Sequence, residues 1–251
     1  MELTVLGSSA AWPAAGLAAS GYLLGEDGFT AVLDLGTGAL SNLQLHVPHQ
    51  QLDAVIFTHS HIDHCIDLHP LYMARLFHPE PLPALPLYAP PGVFDRVAGL
   101  EDAEGRAQMR RLFDVHDVEP GTGFEVGPLR VSTRLLPHWV PNAGLRIESD
   151  GHTLVYTGDT GPSDQIEALA RDADLMITEA SWQPSQAEGR PPFHLTAGQA
   201  ARHAARAGAR RLVLSHFWPG ADREASREEA AGEFDGELVI AREGLRLEVG
   251  S

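Results

Sequence analysis

The sequence predicts an α/β domain of two similar sheets packed face to face with helices outside, on three observations. Short β-rich runs alternate with helical patterns, the layout of sheets covered by helices. The boundaries carry Gly or Pro, which end regular elements. Both halves repeat one rhythm, a strand that ends in His or Asp and is followed by a helix. At 251 residues the chain can bury a substantial core, and no linker or short repeat divides it, so residues 1–251 read as a single domain.

In chain order, the β-rich runs Leu3–Leu6, Gly21–Leu24 and Ala31–Asp34 read as strands. Ala39–Leu45 follows as a helix, and Ala54–Phe57 is an apolar run with the look of a buried strand. Leu68–Phe77 reads as a helix with Asp67 at its N-cap. Pro79, Pro81, Pro83, Pro86, Pro90 and Pro91 then crowd an extended surface connection that includes the strand Leu85–Tyr88. Arg106–Leu112 is a helix, and Leu129–Leu135, Gly144–Ile147 and Thr153–Tyr156 are strands. Helix Ser163–Ala170 and strand Leu175–Thr178 precede helix Thr196–Ala207, which Thr196 caps. Strand Leu212–Leu214, helix Arg223–Phe234 and strands Leu238–Ala241 and Leu245–Val249 complete the order.

Acidic residues outnumber basic ones by 34 to 18, and the formal charge of −16 leaves no basic stretch to track a phosphate backbone. Nucleic acid is therefore not the expected partner. The start Met1-Glu2-Leu3-Thr4-Val5-Leu6 lacks the basic and apolar regions of a signal peptide. No apolar run approaches the roughly 18 residues of a membrane span. Cys65 stands alone, which excludes an intramolecular disulfide. The expected location is the cytoplasm, with no membrane partner.

The segment HSHIDH, His59 to His64, follows the apolar run Ala54–Phe57. Side chains alternate along an extended segment, so His59 and His61 point the same way. Asp63 and His64 swing to a neighbouring point on a tightening turn, and two adjacent metal ions are served. Nitrogen and carboxylate ligands without thiolate suit zinc, manganese or iron. Further ligand types stand at strand ends: His138 in LLPHW, Asp159 in VYTGDTG and His216 in LVLSHFW. Each lies just past the carboxyl end of an apolar strand, where α/β folds place their ligands. Singly, each also reads as a loop residue or a capping Asp.

In this order, HxHxDH, a lone His, a GDT aspartate, an HLT histidine and an SH histidine resemble the metallo-β-lactamase superfamily in its RNase Z-like branch. The likeness runs from VLGSSAAWP through ASGYLL and LDLGTG to LSHFWP. More narrowly, GDTG, EASW, the HLT helix start and SREEAAGEFDG are similar to atypical cyclic-nucleotide phosphodiesterases. The resemblance implies a four-layer αββα sandwich, two mixed sheets with helices outside and metals at one edge. It implies two divalent metal ions, zinc first and manganese or iron as alternatives. His59, His61 and His138 would hold the first, Asp63, His64 and His216 the second, and Asp159 would bridge both.

Two such ions make hydroxide available near neutral pH and offset charge on a phosphoryl oxygen. The residues expected to take part in catalysis are Asp63, His194 and Glu179. His194, just before the Thr196 cap, is given the role of donating to a phosphoryl oxygen or protonating the leaving alkoxide. Glu179, at the end of the strand Leu175–Thr178, is given the role of orienting a ligating imidazole, with a plain buried glutamate as the alternative. Asp34 reads as structural and Cys65 as a small core residue. Trp12, Trp139, Trp182 and Trp218 read either as core or as a stacking surface for a nucleobase.

The leading expectation is a phosphodiesterase that opens cyclic nucleotides such as 3′,5′-cyclic AMP, with a small-molecule phosphodiester as partner. A homodimer is an option, because relatives are often dimers. One alternative is an RNase Z-type tRNA 3′-end endonuclease, whose family members carry a substrate-gripping arm usually between the third histidine and the bridging aspartate. Here 159 − 138 leaves 21 positions, which two strands already use. The other alternative is a lactone, lactam or thioester hydrolase, since the same ions polarise carbonyls.

Overall fold

The computed structural model describes residues 1–250. Its strands are β1 (Glu2–Gly7), β2 (Gly21–Glu26), β3 (Phe29–Leu35), β4 (Ala54–Ile56), β5 (Leu85–Ala89), β6 (Phe113–Asp117) and β7 (Gly123–Val126). The rest are β8 (Leu129–Leu136), β9 (Asn142–Ser149), β10 (His152–Tyr156), β11 (Leu175–Glu179), β12 (Arg211–Ser215), β13 (Glu237–Ile240) and β14 (Arg246–Glu248). Helices are α1 (Ala39–Leu43), α2 (Ile62–Cys65), α3 (Leu68–Leu76), α4 (Val93–Ala98), α5 (Ala103–Leu112), α6 (Asp164–Leu169), α7 (Pro184–Ala187), α8 (Ala197–Ala207) and α9 (Arg223–Ala231).

Two seven-stranded sheets form, in the orders β14-β1-β2-β3-β4-β5-β6 and β13-β12-β11-β10-β9-β8-β7. Both are mixed. In the first, β1, β2 and β3 pair antiparallel and β3 to β6 parallel. In the second, β7 to β10 pair antiparallel and β10 to β13 parallel.

Alternation of side chains along apolar strands makes the four layers. Leu154, Tyr156, Leu175, Ile177 and Val213 point inward to meet Leu33 and Ile56 of the other sheet. Their neighbours Val155, Met176, Leu212 and Leu214 point outward onto α6, α8 and α9. Val32 and Val55 do the same on the opposite side, against Leu43, Leu68, Leu71, Val93 and Val97. A strand buried on both faces has no polar face to show, so it reads as a continuous apolar run. The expected αββα sandwich is the observed fold.

Some elements differ from expectation. Strands β6 and β7 carry no strong apolar run because they are the outer strands of their sheets; Asp114, His116 and Asp117 face solvent. Pro86 sits inside β5 and Pro90–Pro91 lead into α4, so the extended connection ends at Ala84. Asp67 does not cap its own helix. The preceding turn α2 leaves Asp67 already helical, at φ −71° and ψ −2°. Its carboxylate instead accepts from the Leu40 amide at 2.9 Å and so caps α1. No helix among the described residues is long and apolar enough to cross a membrane.

Thr196 does cap α8. Its hydroxyl accepts from the Gln199 amide at 3.3 Å, and the Gln199 side chain accepts from the Thr196 amide at 2.9 Å. Thr196→Ala is expected to cost about 1 kcal/mol. Calorimetry should record a fall in Tm of about 2–4 °C.

Candidate metal centre

Strands β3 and β4 of one sheet and β8, β10, β11 and β12 of the other end at a common edge. There they deliver Asp34, His59, His138, Asp159, Glu179 and His216 in turn. After His59 the chain stays extended through His61, at φ −68° and ψ 146°, and then tightens into α2. That change of backbone separates His59 and His61 from Asp63 and His64.

Ligand atoms of His59, His61, His138 and Asp159 all lie within 4.8 Å of one another, and so do those of Asp63, His64 and His216. Asp159 spans the two groups. Its Oδ2 lies 3.8 Å from His59 Nε2 and 3.7 Å from His138 Nε2, while Oδ1 lies 3.2 Å from His64 Nε2 and 3.4 Å from His216 Nε2. Asp63 Oδ2 is 3.2 Å from His216 Nε2 and accepts from the Ala11 amide at 2.7 Å.

The hydrogen-bond network fixes which ring nitrogens are bare. Thr58 Oγ1 donates to Asp34 Oδ2, leaving an acceptor lone pair for His59 Nδ1 at 2.9 Å. His64 Nδ1 donates to Asp34 Oδ2 at 2.7 Å, and His138 Nδ1 to the Phe193 carbonyl at 3.1 Å. His216 Nδ1 donates to Ser181 Oγ at 2.9 Å, and that hydroxyl donates on to Glu179. With each outer nitrogen engaged, the opposite Nε2 atoms converge.

A cation fits this geometry. His59 Nε2 and Asp159 Oδ1 are buried with no hydrogen-bond partner. His61 Nδ1 stands 2.9 Å from His138 Nε2, and His64 Nε2 stands 3.2 Å from His216 Nε2. Ligands about 2.0–2.1 Å from a tetrahedral zinc ion are about 3.3–3.4 Å apart. The donor set therefore suits divalent metal.

Electrostatics agree. Burial, and then the neighbouring imidazole of His64, holds His59 well below the ordinary histidine range. Burial followed by His138 takes His61 down to about 4, and burial lowers His138. These are neutral rings, as metal ligation requires. His64 is pushed down by burial but more strongly up by Asp159 and Asp34, and ends well above the usual range. Burial opposes ionisation of Asp159, yet His216 and His64 hold it well below the usual carboxylate range. Positive charge is wanted between these groups.

Asp34 is more than the structural residue expected. Its φ of 53° marks a bulge in β3, where Leu33 and Leu35 pair with Tyr22 and Gly21 and Asp34 is left over. The carboxylate thereby collects the Thr58 amide and hydroxyl, His64 Nδ1 and, at 2.7 Å, the Tyr156 hydroxyl. Its position at a strand end, like that of Glu179, was the available signal. Asp34→Asn should weaken divalent-metal affinity about 10–100-fold, read by titration against a competing chelator.

His194 and Glu179 come together as well. His194 Nδ1 donates to Glu179 Oε2 at 2.9 Å, and Glu179 is anchored by the Thr160 amide at 2.6 Å. Burial lowers the His194 pKa, Glu179 raises it further, and it ends at about 9. Glu179 thus holds His194 directly and His216 through Ser181. His194 and His216 line a cavity of about 210 Å³ together with Trp139, Trp182 and Trp218. Trp12 packs edge-on against Trp218 with centroids 5.1 Å apart. Cys65 is buried in the core beneath the site.

Residues 30–217 match the family described as Beta-lactamase superfamily domain. An uncharacterized protein of Mycobacterium leprae (strain TN) is 38% identical over 99% of this chain and 89% of its own length. The crystal structure of the metallo-beta-lactamase fold protein YhfI from Bacillus subtilis is 31% identical, with a TM-score of 0.88 over 98% of this chain and 99% of that one. Ribonuclease Z of Mycobacterium bovis (strain BCG / Pasteur 1173P2) is 28% identical over 99% of this chain and 98% of its own. The chain belongs to the metallo-β-lactamase superfamily, in its RNase Z-like branch, and is a metallo-hydrolase of that superfamily.

Proposed function

We propose that the protein is a phosphodiesterase that opens cyclic nucleotides, such as 3′,5′-cyclic AMP, at a centre of two divalent metal ions. When bound, these ions supply a water of lowered pKa and positive charge opposite a phosphoryl oxygen. His194 is the observation that carries the reading. Its Nδ1–H is committed to Glu179, so Nε2 is left for the cavity it lines. Against the effect of burial, Glu179 raises the His194 pKa to about 9, which favours the protonated ring that a donor needs. A departing ribose oxygen is a poor leaving group, and a placed proton donor is what it needs. Asp63 completes the second ligand group and stays ionised, held low by His216 and His64 against the effect of burial.

A cavity of about 210 Å³ with indole walls suits a small substrate carrying a base. The ribonuclease Z relative favours tRNA instead. Against tRNA, β9 and β10 fill the stretch between His138 and Asp159 and leave no arm there. The net charge of −16 also repels a polyanion.

The test offers purified protein 3′,5′-cyclic AMP, 2′,3′-cyclic nucleotides, bis-p-nitrophenyl phosphate, a precursor tRNA and a lactone, beside His64→Ala. Turnover of cyclic nucleotides that disappears in His64→Ala is expected. Turnover of the lactone or the tRNA alone would sink the reading.

A further inference from the structure

We propose that Arg190 is the specificity-determining residue of this site and carries the base of a nucleotide substrate on the face of its guanidinium. The inference rests on the phosphodiesterase reading and adds what the substrate's organic part must be.

All four tryptophans of the chain gather at this edge. Trp182 and Trp218 have centroids 5.0 Å apart, Trp12 leans on Trp218 at 5.1 Å, and Trp139 packs on Phe193 at 5.2 Å. Two of them are far from buried, Trp12 at 48% and Trp139 at 56% exposure. Large aromatic surface left open around a concave polar centre is a mark of ligand binding.

Arg190 lines the same cavity, and its guanidinium carbon lies 4.6 Å from the ring centroid of the buried Trp182. The Arg190 side chain is exposed and lies over Trp182 rather than against a carboxylate. What sets Arg190 apart is its place in the wall of this cavity, where its charge is open to a ligand. The contact with Trp182 holds the guanidinium at the cavity wall; a base stacks on such a planar group as it does on an aromatic ring. A substrate bearing a quaternary ammonium is disfavoured, because the cation–π position over Trp182 is already taken by a like charge. Phe193, three residues on, receives the His138 Nδ1 hydrogen bond, so the same short loop registers Arg190 against the ligand group.

The test uses Arg190→Met, which keeps length and removes charge and planarity, and Arg190→Lys, which keeps only charge. For 3′,5′-cyclic AMP, Arg190→Met should raise KM about tenfold with kcat changed less than about twofold. Arg190→Lys should not restore KM, and metal content should be unchanged in both. Glycerol 1,2-cyclic phosphate, which has no base, should be turned over equally by all three proteins. Equal losses on both diesters would overturn the proposal, since Arg190 would then serve the phosphate or the fold. Faster turnover of glycerophosphocholine than of cyclic AMP would overturn it too. A readout independent of turnover is quenching of tryptophan fluorescence by AMP. Should no phosphodiester react, the phosphodiesterase reading falls; weaker AMP binding by Arg190→Met still supports the Arg190 assignment, and equal AMP binding refutes it.

Discussion

Asp159→Ala is expected to empty both ligand groups and to lower phosphodiester turnover by a factor of about 10³ or more. Each carboxylate oxygen serves a different group: Oδ2 stands 3.7–3.8 Å from His138 and His59, and Oδ1 stands 3.2–3.4 Å from His64 and His216. Without it, clustered imidazoles face one another with no shared anion. Cations brought close together then repel without a bridge. Metal content measured after desalting should drop for both sites together. Retention of one full equivalent of metal with unchanged turnover would refute the bridging role.

The second large effect is His194→Gln. Glutamine occupies similar space but holds no titratable proton, so kcat on cyclic AMP should fall about 10²–10⁴-fold. Bound metal is expected to be unchanged, since the two ligand groups form without His194; a loss of metal would instead make His194, which also clusters with Asp159 and His216, a ligand. The loss should be smaller with bis-p-nitrophenyl phosphate, whose leaving group departs without a proton. The sign of the pH dependence follows from the raised pKa. His194 carries its proton below about 9 and loses it above, so the wild-type rate should decline on the alkaline side. Metal charge nearby lowers that limit, because it disfavours the imidazolium. His194→Gln should flatten the alkaline limb. A variant that keeps both the wild-type rate and that limb would exclude His194 as the proton donor.

Much of this centre was legible because parallel strands deliver their ligands in sequence order, each just after an apolar run: Ile56 before His59, Tyr156 before Asp159, Leu214 before His216. Those runs are long because both faces are buried, which is also why the sandwich could be read. Strands β6 and β7 could not be read this way, since edge position leaves Asp114, His116 and Glu125 in solvent. Asp34 was undervalued for another reason. The left-handed bulge that aims it at Thr58 and His64 is a backbone event, and no spacing in LDLGTG announces it. The cap formed by Asp67 was not legible because capping depends on which amide a carboxylate reaches, and this one reaches Leu40 of the neighbouring helix α1. Arg190 was invisible until folding brought it over Trp182, since nothing in EGRPPF marks a cavity wall.

The ligands come from both sheets, His59 to His64 from one and His138, Asp159 and His216 from the other. A growing polypeptide on the ribosome therefore has every ligand of the first group only once residue 159 has emerged, and of the second only once residue 216 has. Neither ligand group can form from the first sheet's half of the chain alone, and the paired centre waits for the strand that carries His216.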